Sequence, residues 1–113
     1  MNLFLFSLIA ILILIILIFL YNLIKKTMRN NSQKAIALFN KGKYSEALEI
    51  FQLLYSNTHN NDYLYKIGEC QERLKNYSTA IMTFRNVLNN IDKSSNVTED
   101  MVYNRLFYCY VNL

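Results

Sequence analysis

Hydrophobic and polar positions divide the chain at Ile24. From Leu3 to Tyr21 every residue but Ser7 is apolar, and Leu23 and Ile24 carry the run past Asn22. A run that is apolar on all sides fits neither an amphipathic surface helix nor an alternating strand. Its 22 residues would rise about 33 Å as a helix, enough for a hydrocarbon core of about 30 Å. Residues 1–24 are therefore expected to form a transmembrane anchor. A cleaved signal peptide would instead need a basic start, an apolar core of about 7 to 15 residues and a small-residue cleavage site. The sequence has none of the three, so the anchor is expected to be retained.

Beyond Ile24 the pattern becomes periodic, and the chain matches itself at an offset of 33 residues. Tyr44, Ser45, Ala47, Leu48, Phe51 and Leu54 fall over Tyr77, Ser78, Ala80, Ile81, Phe84 and Val87. Apolar positions recurring at three and four residues make each copy one amphipathic helix. A second periodic segment precedes each copy, with Ala35, Leu38 and Phe39 in the first and Leu64, Ile67, Gly68 and Leu74 in the second. Breaks near Gly42 and Asn76 separate the members of each pair, so two helical hairpins are predicted. A polar loop, residues 89–100, then leads into Met101–Leu113. Thr98 followed by Glu99 and Asp100 is a helix start, with a capping hydroxyl and acids in the first turn. An offset of 39 lays Leu106 over Ile67 and Cys109 over Cys70.

The paired motif resembles the tetratricopeptide repeat, an antiparallel helix pair of about 34 residues with Gly and an aromatic at the turn and Ala and Phe in its second helix. Gly42, Tyr44, Ala47 and Phe51 carry the resemblance in the first copy, and Gly68, Tyr77, Ala80 and Phe84 in the second. Lys75 replaces the turn Gly of the second copy, and neither copy has the closing Pro. The expected fold is all-α: the anchor, a basic linker at 25–31, and a short solenoid of about five helices over 32–113. Its repeats are expected near 32–60 and 61–92, with a partial third at 97–113.

Composition supports a helical domain, since two Gly and no Pro leave few of the turn residues that a sandwich or barrel requires. Charge then orients the chain. All 12 Lys and Arg and all 8 Asp and Glu follow Ile24, and Lys25, Lys26, Arg29 and Lys34 come directly after the span. Because basic flanks stay on the cytoplasmic side, the C-terminal domain is expected to be cytoplasmic, and the resemblance to anchored tetratricopeptide proteins implies a bacterial inner or mitochondrial outer membrane. The same four residues account for the net charge of +4, so a nucleic-acid surface is not expected. The chain has no phosphate-binding glycine loop, no HExxH, no CxxC and one His. No catalysis, cofactor or metal is therefore expected. Cys70 and Cys109 share a register with Ala37 and are read as small buried residues rather than a redox pair. His59 is read as a solvated loop residue. Asn30, Asn76 and Asn96 begin glycosylation sequons, which the expected orientation keeps from the machinery that would use them.

The resemblance implies a concave groove, lined by the first helices of the repeats, that grips a protein or peptide. Tyr65, Glu69 and Glu72 share one helical face. Their register adds Ser32, Ile36 and Phe39 from the first copy and Asn104 and Tyr108 from the third. An apolar, aromatic and acidic groove suits a basic amphipathic partner. The C-terminal helix is apolar nearly all round, and Phe107 and Tyr110 are expected to face a partner or a second copy. The expected role is that of a membrane-anchored interaction module, with a permanently packed structural subunit as the alternative.

Overall fold

A computed structural model describes residues 2–93 and 95–113. Among these residues the chain forms five helices and no strand: α1 (Leu3–Asn40), α2 (Tyr44–Thr58), α3 (Asn61–Arg73), α4 (Tyr77–Asn89) and α5 (Glu99–Val111). Met1 and Ser94, which belong to the expected anchor and the expected polar loop, lie outside the described residues. Two compact units divide the chain, Met1–Asn30 and Asn31–Leu113. Residues 25–31, expected as a linker, are helical within α1.

In the first unit Asn2 Oδ1 accepts a hydrogen bond from the Phe4 N–H at 3.2 Å, satisfying one of the free donors at a helix start. Every apolar side chain from Leu3 to Ile24 is exposed. The helix is long and apolar enough to cross a membrane.

The second unit is built from hairpins whose turns share one geometry. Gly42 has a φ of +81°; its N–H donates to Phe39 O at 3.0 Å, and the Lys43 N–H donates to Leu38 O at 2.9 Å. Thirty-three residues on, the Lys75 N–H donates to Glu72 O and the Asn76 N–H to Gln71 O, both at 2.9 Å. Both are Schellman turns, in which the residue after the helix takes a left-handed conformation and two terminal carbonyls are satisfied. Gly adopts that conformation freely, whereas Lys75 adopts it at a φ of +65° against its own Cβ. Capping begins the other helices: Asn60 Oδ1 accepts from the Asp62 N–H at 2.9 Å, and Thr98 Oγ1 accepts from the Met101 N–H.

The core follows the repeat. Ala47, Phe51 and Leu54 of α2 and Ala80, Phe84 and Val87 of α4 are all buried, at the positions the 33-residue offset aligns. Phe84 lies against Gly68 so closely that a Cβ there would come within 2.7 Å of the ring. This contact is why α3 and α4 need a residue without a side chain at their crossing. The matching position in the first copy is Ala35, which is fully buried, whereas Ala37 is exposed. The register of Ala37 with Cys70 holds at the same offset, but the expectation that Ala37 is a small buried residue like Cys70 and Cys109 is corrected. Both cysteines are buried and free, but Ala37 is not, because α3 packs against α2 as well as α4 while the first segment has no preceding repeat to cover it. Val102, Leu106 and Cys109 bury one stripe of α5, which packs on α4.

Candidate functional site

Five of the residues expected to line one groove, Ser32, Ile36, Tyr65, Glu72 and Tyr108, fall into two depressions of the second unit. The first, about 410 Å³, is lined in part by Ser32, Ile36, Tyr65, Lys66, Val97 and Met101. Ile36 and Met101 stay 44% and 39% exposed, which leaves apolar surface available there. Tyr65 is buried, with its ring 5.6 Å from that of Phe84. Burial, reinforced by Glu69, pushes its hydroxyl up to about 12, so Tyr65 stays neutral.

The second depression, about 310 Å³, is lined by Glu72, Arg73, Lys75, Tyr77, Arg105 and Tyr108. It unites Glu72 and Tyr108, two of the expected groove residues, with three cations that the groove reading left out. The Glu72 side chain is only 3% exposed. Arg105 Nη1 donates to its Oε1 at 2.8 Å, while Oε2 is buried and has no hydrogen-bond partner among the described residues. Burial raises the Glu72 carboxyl above its ordinary range, outweighing the guanidinium groups of Arg105 and Arg73, which pull it down. Arg105 also lies 5.5 Å from the Tyr108 ring centroid. Arg73 stacks on Phe39 and Tyr44, 5.7 and 5.9 Å from their centroids.

The remaining expected residues are dispersed. Phe39 carries Lys66 Nζ at 4.9 Å from its ring, and Lys66 also pairs with Glu69 at 3.1 Å. Asn104 is exposed on α5. Phe107 is 72% exposed, and Tyr110 accepts a hydrogen bond from Arg85. Lys25, Lys26 and Arg29 are exposed in the first unit. Arg105 carried no signal in the sequence: the 39-residue offset that aligns the third copy lays it over Lys66 rather than Glu72. Burial pushes the thiols of Cys70 and Cys109 up to about 12 and about 11, where a thiolate nucleophile is scarce. A larger polar hollow of about 650 Å³ lies among the α2–α3 and α4–α5 loops, with His59 and Asp62 in its lining. Ser95 Oγ donates to Asp62 there at 2.8 Å, bracing one loop on the other.

Stacked hairpins with a repeated turn and a repeated core define a helical-repeat protein. Residues 62–94 match the family model of the tetratricopeptide repeat, so α3 and α4 form a tetratricopeptide repeat. The chain is also similar to an Escherichia coli (strain K12) protein described only as "Uncharacterized protein YgeG", with 31% identity over 65 residues. That similarity spans 56% of this chain and 40% of the relative. No solved structure matches the chain.

Proposed function

We propose that the protein is a membrane-anchored interaction module. The apolar half of α1 crosses the membrane, and the tetratricopeptide domain recruits a protein or peptide at the cytoplasmic face without catalysis. The observation that carries this reading is the union, in one chain, of a helix long and apolar enough to span a bilayer with a repeat family whose members bind proteins and peptides. Lys25, Lys26 and Arg29 support the orientation, as basic residues beside an uncharged span. The groove of this reading comprises Ile36, Phe39, Tyr65, Glu69, Glu72, Asn104 and Tyr108. The exposed apolar side of α5, with Phe107 and Tyr110, favours a second reading: a structural subunit packed permanently in a larger membrane complex.

Co-purification from mild detergent at two salt concentrations separates the two. A companion lost at high salt and present below one copy per chain supports the recruiting module, because ionic contacts at exposed surfaces are screened. A stoichiometric companion that survives high salt supports the packed subunit. A chain that recovers alone at both salts contradicts both.

A further inference from the structure

The two ends of the stacked hairpins differ in chemistry. At the first end, the face of α1 that no earlier helix covers carries Gln33, Lys34, Ala37, Asn40 and Lys41, all exposed. Lys34 and Ala37 stand one repeat before Ile67 and Cys70, which are buried in α3. This end is thus a polar cap of the kind a repeat array needs. At the last end α5 presents Tyr103, Phe107, Tyr110 and Val111, all exposed, as one stripe at helical spacing.

The second repeat provides the template for covering this stripe. The offset of 39 lays Tyr103, Phe107 and Tyr110 over Leu64, Gly68 and Gln71, which are buried in α3. There α4 covers two of them directly: Phe84 fills the space over Gly68, and Thr83 Oγ1 donates to Gln71 Oε1 at 2.6 Å. The exposed stripe of α5 is therefore the face that takes a second, antiparallel helix. Phe107 projects where Gly68 recedes, so a helix carrying Phe84 at the crossing would collide with it. The α5 of a second copy does not. In an antiparallel pair with its two-fold axis at Phe107, the two Phe107 rings meet side by side, an arrangement aromatic pairs favour, and Tyr103 of each copy lies against Tyr110 of the other. Charge fits the same direction. Arg85 donates to the Tyr110 hydroxyl and stacks on its ring at 5.8 Å, while the exposed acids Glu99 and Asp100 precede Tyr103 by about one turn, so antiparallel pairing brings Arg85 of each copy to the acids of the other. At about 150–250 Å² for a whole aromatic side chain, the stripe offers on the order of 500 Å² per copy. Its charged rim carries the contact into the range of about 600–1,000 Å² per partner that specific interfaces bury. A head-to-tail stack would instead press the aromatic stripe onto the polar cap of α1 and would not close.

We propose that α5 is the contact surface of a two-fold homodimer, in which the antiparallel α5 of a second copy takes the place that α4 takes on α3 and so completes the third repeat. One apolar end and one polar end close this assembly at two copies. The proposal is independent of what the groove binds, and it covers the face that favours the packed-subunit reading.

The test uses the full chain in phosphatidylcholine vesicles. Chains with Tyr103→Cys and chains with Tyr110→Cys, one set tagged, are reconstituted together and oxidised with copper phenanthroline. Cys70 and Cys109 are buried, and wild type is the control for them. The mixture gives a mixed dimer and no larger species, and either variant alone stays largely monomeric. Phe107→Glu in both sets abolishes the mixed dimer. Arg85→Glu lowers its yield about two- to fivefold, the effect of losing an exposed charge contact, and adding Glu99→Lys and Asp100→Lys to the same chain restores it. A mixture that stays monomeric overturns the proposal. So does a ladder of larger species, which marks head-to-tail stacking, or cross-linking of either variant alone as efficient as that of the mixture, which marks parallel pairing. Quenching of a bimane on Tyr103→Cys by brominated lipid also overturns it and assigns α5 to the membrane surface. If the chain stays monomeric while a companion co-purifies with it, only the homodimer falls and the interaction-module reading stands.

Discussion

At the scale of single residues, the fold depends on a few positions where size or charge leaves no alternative. Phe84 is fully buried and its ring fills the space that Gly68 leaves open. Truncation to Ala would open a cavity there, so Phe84→Ala should cost about 3–5 kcal/mol. That is much of the stability a domain of this size has. Thermal unfolding of the 31–113 fragment checks it: the variant should lose its cooperative transition near the wild-type temperature. A melting temperature within about 2 °C of wild type contradicts the packing, because 1 kcal/mol moves a domain of this size by about 4–8 °C. Glu72 makes a prediction of the opposite kind. Its carboxyl is raised in the fold above its ordinary 4.5, so the native state takes up a proton before the unfolded chain does. Its contribution to stability is therefore complete below the unfolded value and is lost as pH rises through the folded one. Melting curves of wild type and Glu72→Gln, measured from pH 7 down to about pH 4.5, isolate this group. The wild type should gain on the variant as pH falls; a wild type that loses ground would mark a carboxylate held low by Arg105 instead.

At the scale of elements, the 33-residue period made the hairpins legible, because a repeat fixes helix, turn and core together. Phe51 and Phe84 fall in the core as the offset requires, and the capped start of α5 at Thr98 was readable from its hydroxyl and following acids. The second turn was harder to read. Lys75 carries no turn signal, and only the structure shows that it repeats the geometry of Gly42. Packing decided the rest: Ala35 rather than Ala37 is buried because the small position is set by where the helices cross. Pairing between helices was illegible as well, so Glu72 read as a groove acid although Arg105 neutralises it. α5 itself has one buried stripe and one exposed apolar side, on which Phe107 is 72% exposed. Substitution on that side should leave folding intact and change association. In size exclusion with light scattering, the 31–113 fragment should run as an oligomer, and Phe107→Glu should return it to the monomer mass with an unchanged melting temperature. A monomer that Phe107→Glu leaves unchanged would remove α5 as a self-contact surface.

At the scale of the whole molecule, the sequence separates two environments, since all 20 charged side chains follow Ile24. The first unit exposes Leu, Ile and Phe on every side, an arrangement stable in hydrocarbon and strongly unfavourable in water. The second unit has an ordinary buried core and a tetratricopeptide repeat. In the proposed function, anchoring would join them: a domain held at a membrane would meet its partners there. Extraction of membranes at alkaline pH tests that claim most directly, because it strips peripheral proteins and leaves spanning helices in place. Full-length protein should remain in the membrane pellet and the 31–113 fragment should be soluble, with the domain digested only when protease is admitted to the cytoplasmic side. Release of the full-length chain into the alkaline supernatant would contradict the account.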